Sequence, residues 1–315
     1  MFYNITNFQN VVAKATKKVA IAAIAASVTF TSCGKDDDDG NVYEPKRGDV
    51  YVAGQYDGKA ALWKNGAPHI LTDGGFASEA HSVFVSGSDV YVAGSGSKGG
   101  DWVPLIWKNG VEQILTGGSG AAYSIFVAGD DVHVAGIVGS ADSRATIWKN
   151  GELQNLHNNN FGWSTSANSI FVSGSDVYVA GSRLWKNSEV QKFTNGNDQP
   201  GGRSVFVSGN DVYVAGNRLW KNGVQQVLEG NPNNIVSVFV SNGDVYVVGG
   251  NKVWKNGETL LDLPERTVTN FIYVSGNDVY VTGRENEIFN FWKNGVEQKL
   301  KTTPFFRVNS VFVVR

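Results

Sequence analysis

The chain is predicted to be all-β, a seven-bladed β-propeller of four-stranded antiparallel blades, and three observations predict it. A block of the form Asp-Val-Tyr-Val-Ala-Gly, then a variable stretch, then Trp-Lys-Asn, begins at Asp49, Asp89, Asp131, Asp176, Asp211, Asp244 and Asp278. Its tryptophans are Trp63, Trp107, Trp148, Trp185, Trp220, Trp254 and Trp292, seven of the nine in the chain. Between blocks lies a second apolar segment, Ser-Val-Phe-Val-Ser-Gly or a variant, always starting seven residues before the next Asp. The third observation is that the two ends are incomplete in complementary ways. The first block, at Asp49, has no such segment before it, and the copy at Ser310–Arg315 has no block after it. A solenoid needs a cap at each free end and gains nothing by donating a strand across the chain, whereas a ring is closed by that donation. Strand 310–315 is therefore expected beside strand 49–54, closing blade 1.

Within each unit the elements follow from local chemistry. Ser-Val-Phe-Val-Ser is a strand, Asp-Val-Tyr-Val-Ala-Gly a second, the residues ending in Leu-Trp or Ile-Trp a third, and a stretch such as Val111–Leu115 a fourth. Asn-Gly after Trp-Lys is a strong two-residue hairpin signal, and Ser-Gly-Ser or Ser-Gly-Asn supplies the turn between the first two strands. Four-stranded units repeated radially make a propeller. Each repeat Trp is a core residue whose burial removes roughly 150–250 Å² from water. The Val-Phe-Val runs suit innermost strands covered on both faces. The repeated Asp is expected to bond its own turn backbone rather than to bind calcium.

The N-terminus predicts a leader. Residues 1–32 carry Lys14, Lys17 and Lys18 and no acid, then an apolar run from Val19 to Phe30 that is too short to span a bilayer, the pattern of a secretion signal. Cys33, the single cysteine, follows Thr31 and Ser32 where such a signal would be cut. Phe30-Thr31-Ser32-Cys33 resembles a bacterial lipobox, which implies acylation of Cys33; Phe30 departs from the usual aliphatic residue. Gly34-Lys35 followed by Asp36–Asp39 resembles the export signal of Bacteroidetes-type surface lipoproteins. That resemblance implies attachment to the outer membrane, facing the cell exterior. The domain organisation expected is a signal peptide over 1–32, the lipidated Cys, export signal and flexible tether over 33–47, and the propeller over 48–315.

Loss of residues 1–32 removes three lysines and takes the formal charge from −2 to −5. An acidic body excludes the basic face that nucleic acid requires. The membrane contact expected is through the lipid alone, and the protein is expected to be a monomer without cofactor or metal.

Function is sought where the units differ. Between the block Gly and the repeat Trp lie 8, 12, 11, 3, 3, 4 and 8 residues in blades 1 to 7. The long connections fall on blades 7, 1, 2 and 3, which adjoin once the ring is closed, so they predict a raised lip for binding. Its candidates are Tyr56 and Asp57 on blade 1, Asp101 and Trp102 on blade 2, Asp142 and Arg144 on blade 3, and Arg284, Glu285 and Phe289 on blade 7. The inter-blade connections add Phe76, Phe161, Trp163 and Phe305. Trp102 and Trp163 stand outside the repeat, as a platform for a sugar ring or a protein side chain would. A second candidate set precedes the repeated Ser of the inner strand: His81, Tyr123, Asn168, Arg203, Val236, Asn270 and Asn309, six of them polar, expected at the channel mouth.

Catalysis finds little support. His69, His81, His133 and His157 lack metal-ligand spacing, and no nucleophile elbow or phosphate loop is present. The units do not match the Ser-x-Asp-x-Gly-x-Thr-Trp turns of sialidase-type propellers. Glycan cleavage would need a pair of acids, such as Asp57 and Asp101, to meet across the lip. With Trp just before a hairpin turn in each blade, the chain resembles WD40-like seven-bladed propellers, although Trp-Lys-Asn-Gly differs from their Trp-Asp. The resemblance implies shape and carries over no site residue. The expected role is a non-catalytic surface binding module for glycan or another extracellular ligand, or a scaffold docking onto a membrane protein partner.

Overall fold

The computed structural model describes residues 42–72, 75–156, 164–193 and 200–315. These form seven four-stranded antiparallel sheets arranged as a propeller. Blade 1 contains β1 (Val50–Tyr56), β2 (Lys59–Lys64) and β3 (Ala67–Ile70). Blade 2 contains β4 (Ser78–Ser86), β5 (Asp89–Lys98), β6 (Asp101–Lys108) and β7 (Val111–Ile114), and blade 3 contains β8 (Gly120–Ala128), β9 (Asp131–Val138), β10 (Arg144–Lys149) and β11 (Glu152–Asn155). Blade 4 is built from β12 (Ala167–Ser173), β13 (Asp176–Gly181), β14 (Leu184–Lys186) and β15 (Glu189–Val190). Blade 5 follows with β16 (Ser204–Ser208), β17 (Asp211–Ala215), β18 (Leu219–Lys221) and β19 (Val224–Gln226). Blade 6 has β20 (Ser237–Ser241), β21 (Asp244–Gly249), β22 (Lys252–Lys255) and β23 (Glu258–Asp262). Blade 7 has β24 (Thr267–Ser275), β25 (Asp278–Glu285), β26 (Ile288–Lys293) and β27 (Val296–Gln298), and the chain ends in β28 (Phe306–Val313).

The ring closes as predicted, because β28 pairs antiparallel with β1 and completes blade 1. The closing strand differs from the expected 310–315 in its limits. Its ladder runs from Phe306 opposite Tyr56 to Val313 opposite Val50, since the alternating pattern continues upstream of Ser310. Residues 42–47, expected to be part of a flexible tether, instead pack on blade 1. Val42 is buried, Tyr51 Oη donates to its carbonyl at 2.8 Å, and Lys64 Nζ donates to the Glu44 carbonyl at 2.9 Å. Cys33, the acidic run and the signal segment lie outside the described residues.

The repeat tryptophans are buried, and each packs against the blade before its own. Trp107 of blade 2 joins Tyr51, Ala53, Leu62 and Leu71 of blade 1, and Trp63 joins Tyr280 and Phe291 of blade 7 across the closing seam. Trp63 Nε1 donates to Lys301 O at 2.9 Å, Trp148 to Thr116 O at 2.7 Å and Trp254 to Glu229 O at 3.0 Å, all in the preceding blade. The repeat Trp thus supplies apolar area to each seam, and Trp63, Trp148 and Trp254 add a hydrogen bond, whereas Trp107 Nε1 and Trp220 Nε1 are buried without a hydrogen-bond partner.

The block Gly is needed because the inner strand passes close beside it. A Cβ on Gly54 would lie 1.9 Å from Arg307 O, and one on Gly94 2.2 Å from Glu79 O. Inner strands are also sheet edges, whose inward N–H groups have no ladder partner. The repeated Ser of the preceding blade fills that need. Ile125 N donates to Ser82 Oγ, Ile170 N to Ser124 Oγ, Val205 N to Ser169 Oγ, Val238 N to Ser204 Oγ, Ile272 N to Ser237 Oγ and Val83 N to Ser310 Oγ, at 3.1 to 3.3 Å. Blade 7 carries Phe271 at this position, and its seam with blade 1 is held instead by aromatic packing and by side-chain hydrogen bonds, from Thr282 Oγ1 to Asn309 O at 3.0 Å and from Tyr273 Oη to Val313 O at 3.2 Å.

Candidate functional site

The expected lip is built of extended hairpins on blades 7, 1 and 2, and only blade 3 keeps a loop, residues 139–143. β5 and β6 stay paired to Lys98 opposite Asp101, and β25 and β26 to Glu285 opposite Ile288. Two-residue turns at Gly99–Gly100, Asp57–Gly58 and Asn286–Glu287, all with positive φ, reverse the chain without breaking the ladder. Blades 4, 5 and 6 have shorter second strands, so blades 7, 1, 2 and 3 stand above them.

The lip candidates divide by exposure. Trp102 is 44% exposed near the tip of the blade 2 hairpin, beside exposed Asp101. Asp57, Asp142 and Arg144 are exposed on blades 1 and 3. Tyr56 is half-buried against Trp63, with ring centroids 6.3 Å apart, and Phe289 packs into the same cluster. These two are therefore core contacts at the seam. Arg284 is half-buried and forms an ion pair with Glu287 at 2.7 Å, and Glu285 is half-buried. Phe76 lies under the Lys98 ammonium, 4.8 Å from its ring centre, whereas Phe305 is 75% exposed. Phe161, Trp163 and His157 lie outside the described residues.

The polar ring sits where the inner strands bulge. Ladder shifts fall between Ala80 and Ser82, Ala122 and Ser124, Ala167 and Ser169, and Thr269 and Phe271, and β1 shows the matching shift opposite Asn309. Two bulge residues then face one partner, which re-aims a side chain that strict alternation would turn away. Three of these groups serve as clasps between blades. Asn168 Nδ2 donates to Gly202 O at 2.8 Å, Asn270 Nδ2 to Val308 O at 3.3 Å and Asn309 Nδ2 to Ala80 O at 2.9 Å. Each reaches the carbonyl just before the corresponding residue of the next blade. His81 lies 3.3 Å from Ser95 Oγ and meets Tyr123 edge-on at 5.5 Å, Arg203 is exposed, and Val236 is buried.

The sequence reading missed Glu79 and Arg307. Asn309 Nδ2 also donates to Glu79 Oε1 at 2.9 Å, and Arg307 pairs with Glu79 at 3.2 Å, joining blades 1 and 2. Burial pulls the His81 pKa down, opposed by the Glu79 carboxylate and aided by Arg307. Both missed residues lie two positions before a ring residue, and that period-two spacing was the available signal.

Below the polar ring the channel is aromatic. Phe84, Phe126, Phe171, Phe206, Phe239, Tyr273 and Phe312 form a closed cycle, with adjacent centroids 4.7 to 5.2 Å apart. Their interplanar angles of 46 to 55° bracket one-seventh of a turn, as for ring planes that run along the axis. They wall a cavity of about 530 Å³ that reaches from the serine layer to Gly87 and Arg315. The inner strands are covered on both faces as expected: Val83 and Val85 turn to the seam with blade 1, and Phe84 packs on the seam with blade 3.

Among solved structures the chain is similar to the WD40 β-propeller domain of Doa1, with a TM-score of 0.53 at 20% identity, covering 79% of this chain and 90% of that one. The fold is a WD40-like seven-bladed propeller. No family model and no curated protein matches the chain.

In the propeller the repeated aspartates are taken up by the scaffold: Asp49 accepts from nearby backbone as expected, from Lys46 N at 2.8 Å, whereas the other six are held by side chains across the hairpin. Asp89 Oδ1 accepts from Asn109 Nδ2 at 2.7 Å, Asp89 Oδ2 pairs with Lys108 at 2.8 Å, and Asn109 Oδ1 accepts from Val90 N at 2.9 Å. The same carboxylate-lysine pair recurs at Asp49, Asp131, Asp176, Asp211, Asp244 and Asp278. The lysine hydrogen bond holds the carboxyls of Asp89, Asp131, Asp176, Asp211 and Asp244 below their ordinary pKa. Among the described residues no group of three His, Cys, Asp or Glu side chains could hold a metal ion, and no helix is long and apolar enough to cross a membrane.

Proposed function

We propose that the protein is a lipid-anchored lipoprotein of the bacterial outer membrane that presents its propeller to the exterior and binds glycan without catalysis through the lip face. The observation that supports glycan is Trp102. The seven repeat tryptophans are at most 5% exposed, whereas Trp102 is 44% exposed on the longest hairpin. An indole held on a rigid ladder beside a carboxylate suits a pyranose, with the apolar sugar face on the ring and hydroxyls on the polar neighbours. The lipid anchor is supported by Cys33 after the apolar run and surface display by the acidic run that follows, both in the sequence.

A second reading, a scaffold for a membrane protein partner, rests on another observation. Phe305 at 75%, Ile288 at 60% and Val268 at 41% are exposed on blade 7 and its connection to blade 1. Apolar residues near Arg284 and Glu287 have the character of an interface core with a polar rim. The deciding experiment applies the full chain to a broad glycan array beside Trp102→Ala. Binding that disappears in the variant supports the glycan reading. Absence of any glycan signal, or a signal indifferent to Trp102, rejects it in favour of the protein partner, to be sought by crosslinking on intact cells.

A further inference from the structure

The axial cavity lies on the side of the channel away from the lip, and its chemistry is different. Its wall is the aromatic cycle, its floor includes the hydroxyls of Ser82, Ser124, Ser169 and Ser204, and Arg315 stands at its mouth. Its volume of about 530 Å³ falls within the range of roughly 300–1,000 Å³ usual for small-molecule sites. With seven centroids so spaced on a circle, each lies roughly 5.6 Å from the axis, so the bore is narrow and apolar. The floor hydroxyls already accept backbone N–H groups, which leaves their O–H for a ligand but gives too few partners for a sugar.

The mouth selects the charge. The Arg315 guanidinium lies 5.8 Å from the Phe239 ring centre and 5.7 Å from that of Tyr273, and one nitrogen donates to Val274 O at 2.6 Å. Cation-π stacking and a carbonyl hold the group in place, and with five N–H donors it retains capacity for a carboxylate. The seven aspartates that begin the second strands on this face are each matched by a lysine, so they do not cancel Arg315.

The geometry points to a binding site for a small anionic amphiphile, its acyl chain along the aromatic bore and its carboxylate on Arg315. The site is independent of the lip and of the glycan reading.

The test is isothermal titration calorimetry of the full chain with octanoate and with octanol, for the wild type, Arg315→Gln and the bore-filling pair Phe126→Trp with Phe206→Trp. Octanoate should bind saturably to the wild type, about tenfold more weakly to Arg315→Gln, as for loss of one charge-assisted pair, and not measurably to the bore-filled variant. Octanol should be indifferent to Arg315→Gln and lost with the bore. Arg315 is exposed, so that variant remains informative if the aromatic pair fails to fold, which circular dichroism and the thermal midpoint report. Absence of saturable octanoate binding overturns the proposal. So does octanoate affinity unchanged by Arg315→Gln, or retained in a folded bore-filled variant.

Discussion

The serine belt makes a graded prediction about stability. Ser237 is 1% exposed and its Oγ accepts the N–H of Ile272, itself fully buried, at 3.3 Å. Ile272 lies opposite Val281 in the ladder, and its N–H turns toward the neighbouring blade, where Ser237 supplies the acceptor. Ser237→Ala leaves that donor unsatisfied where water does not readily reach it. The expected cost is about 1–3 kcal/mol, the penalty for a buried orphaned donor. For a domain of this size that lowers Tm by about 2–4 °C per kcal/mol. Ser82→Ala is the comparison. Ser82 is half-buried and lines the axial cavity, so water can replace its hydroxyl and the loss should stay near about 1 kcal/mol. Urea denaturation of the two variants and the wild type gives the order. Equal stability of Ser237→Ala and the wild type, or a larger loss in Ser82→Ala, would refute the assignment of the belt as a cap on buried edge donors.

Three further outcomes follow from local geometry. Ser188 occupies the left-handed turn position, φ +68°, where the other six blades carry Gly at +77 to +90°; Ser188→Gly should raise stability by up to about 1 kcal/mol, the left-handed strain less the added chain entropy, and a lower thermal midpoint would contradict this. Gly94→Ala would bring a methyl to 2.2 Å from Glu79 O, so at least about 1–3 kcal/mol should be lost, and a variant that melts with the wild type would show that the inner strand gives way freely. Folding lowers the carboxyl pKa values of the repeated aspartates, so the stability they supply is complete above their ordinary value of about 3.9 and is lost as pH falls through the lowered folded values. Asp211→Asn with Asp244→Asn should therefore weaken the protein at neutral pH and flatten its acid dependence. An unchanged slope of denaturation midpoint against pH would count against these pairs.

The architecture was legible because each blade repeats the same physical instructions. Asn65-Gly66 states its turn, Trp63 states its seam, and the half-unit at Ser310 states the closure. The site was less legible, since its character depends on what lies across the ring. Tyr56 and Phe289 looked like lip residues until both were found packed into the seam cluster that holds Trp63. Asn168, Asn270 and Asn309 looked like convergent ligand groups until each met the carbonyl of its neighbour.

By itself the sequence determined the blade number, the strand order, the turns and the closing strand, because period-two alternation and turn chemistry act between residues near one another in the chain. Tertiary structure alone decided which side chains share a surface. Bulges re-aimed His81 and Asn309, ladder extension turned the expected loops of blades 7, 1 and 2 into a rigid lip, and closure brought Phe312 between Phe84 and Tyr273, residues more than 200 and nearly 40 positions away. The aromatic bore exists only when all seven blades stand round one axis, so no single repeat could reveal it.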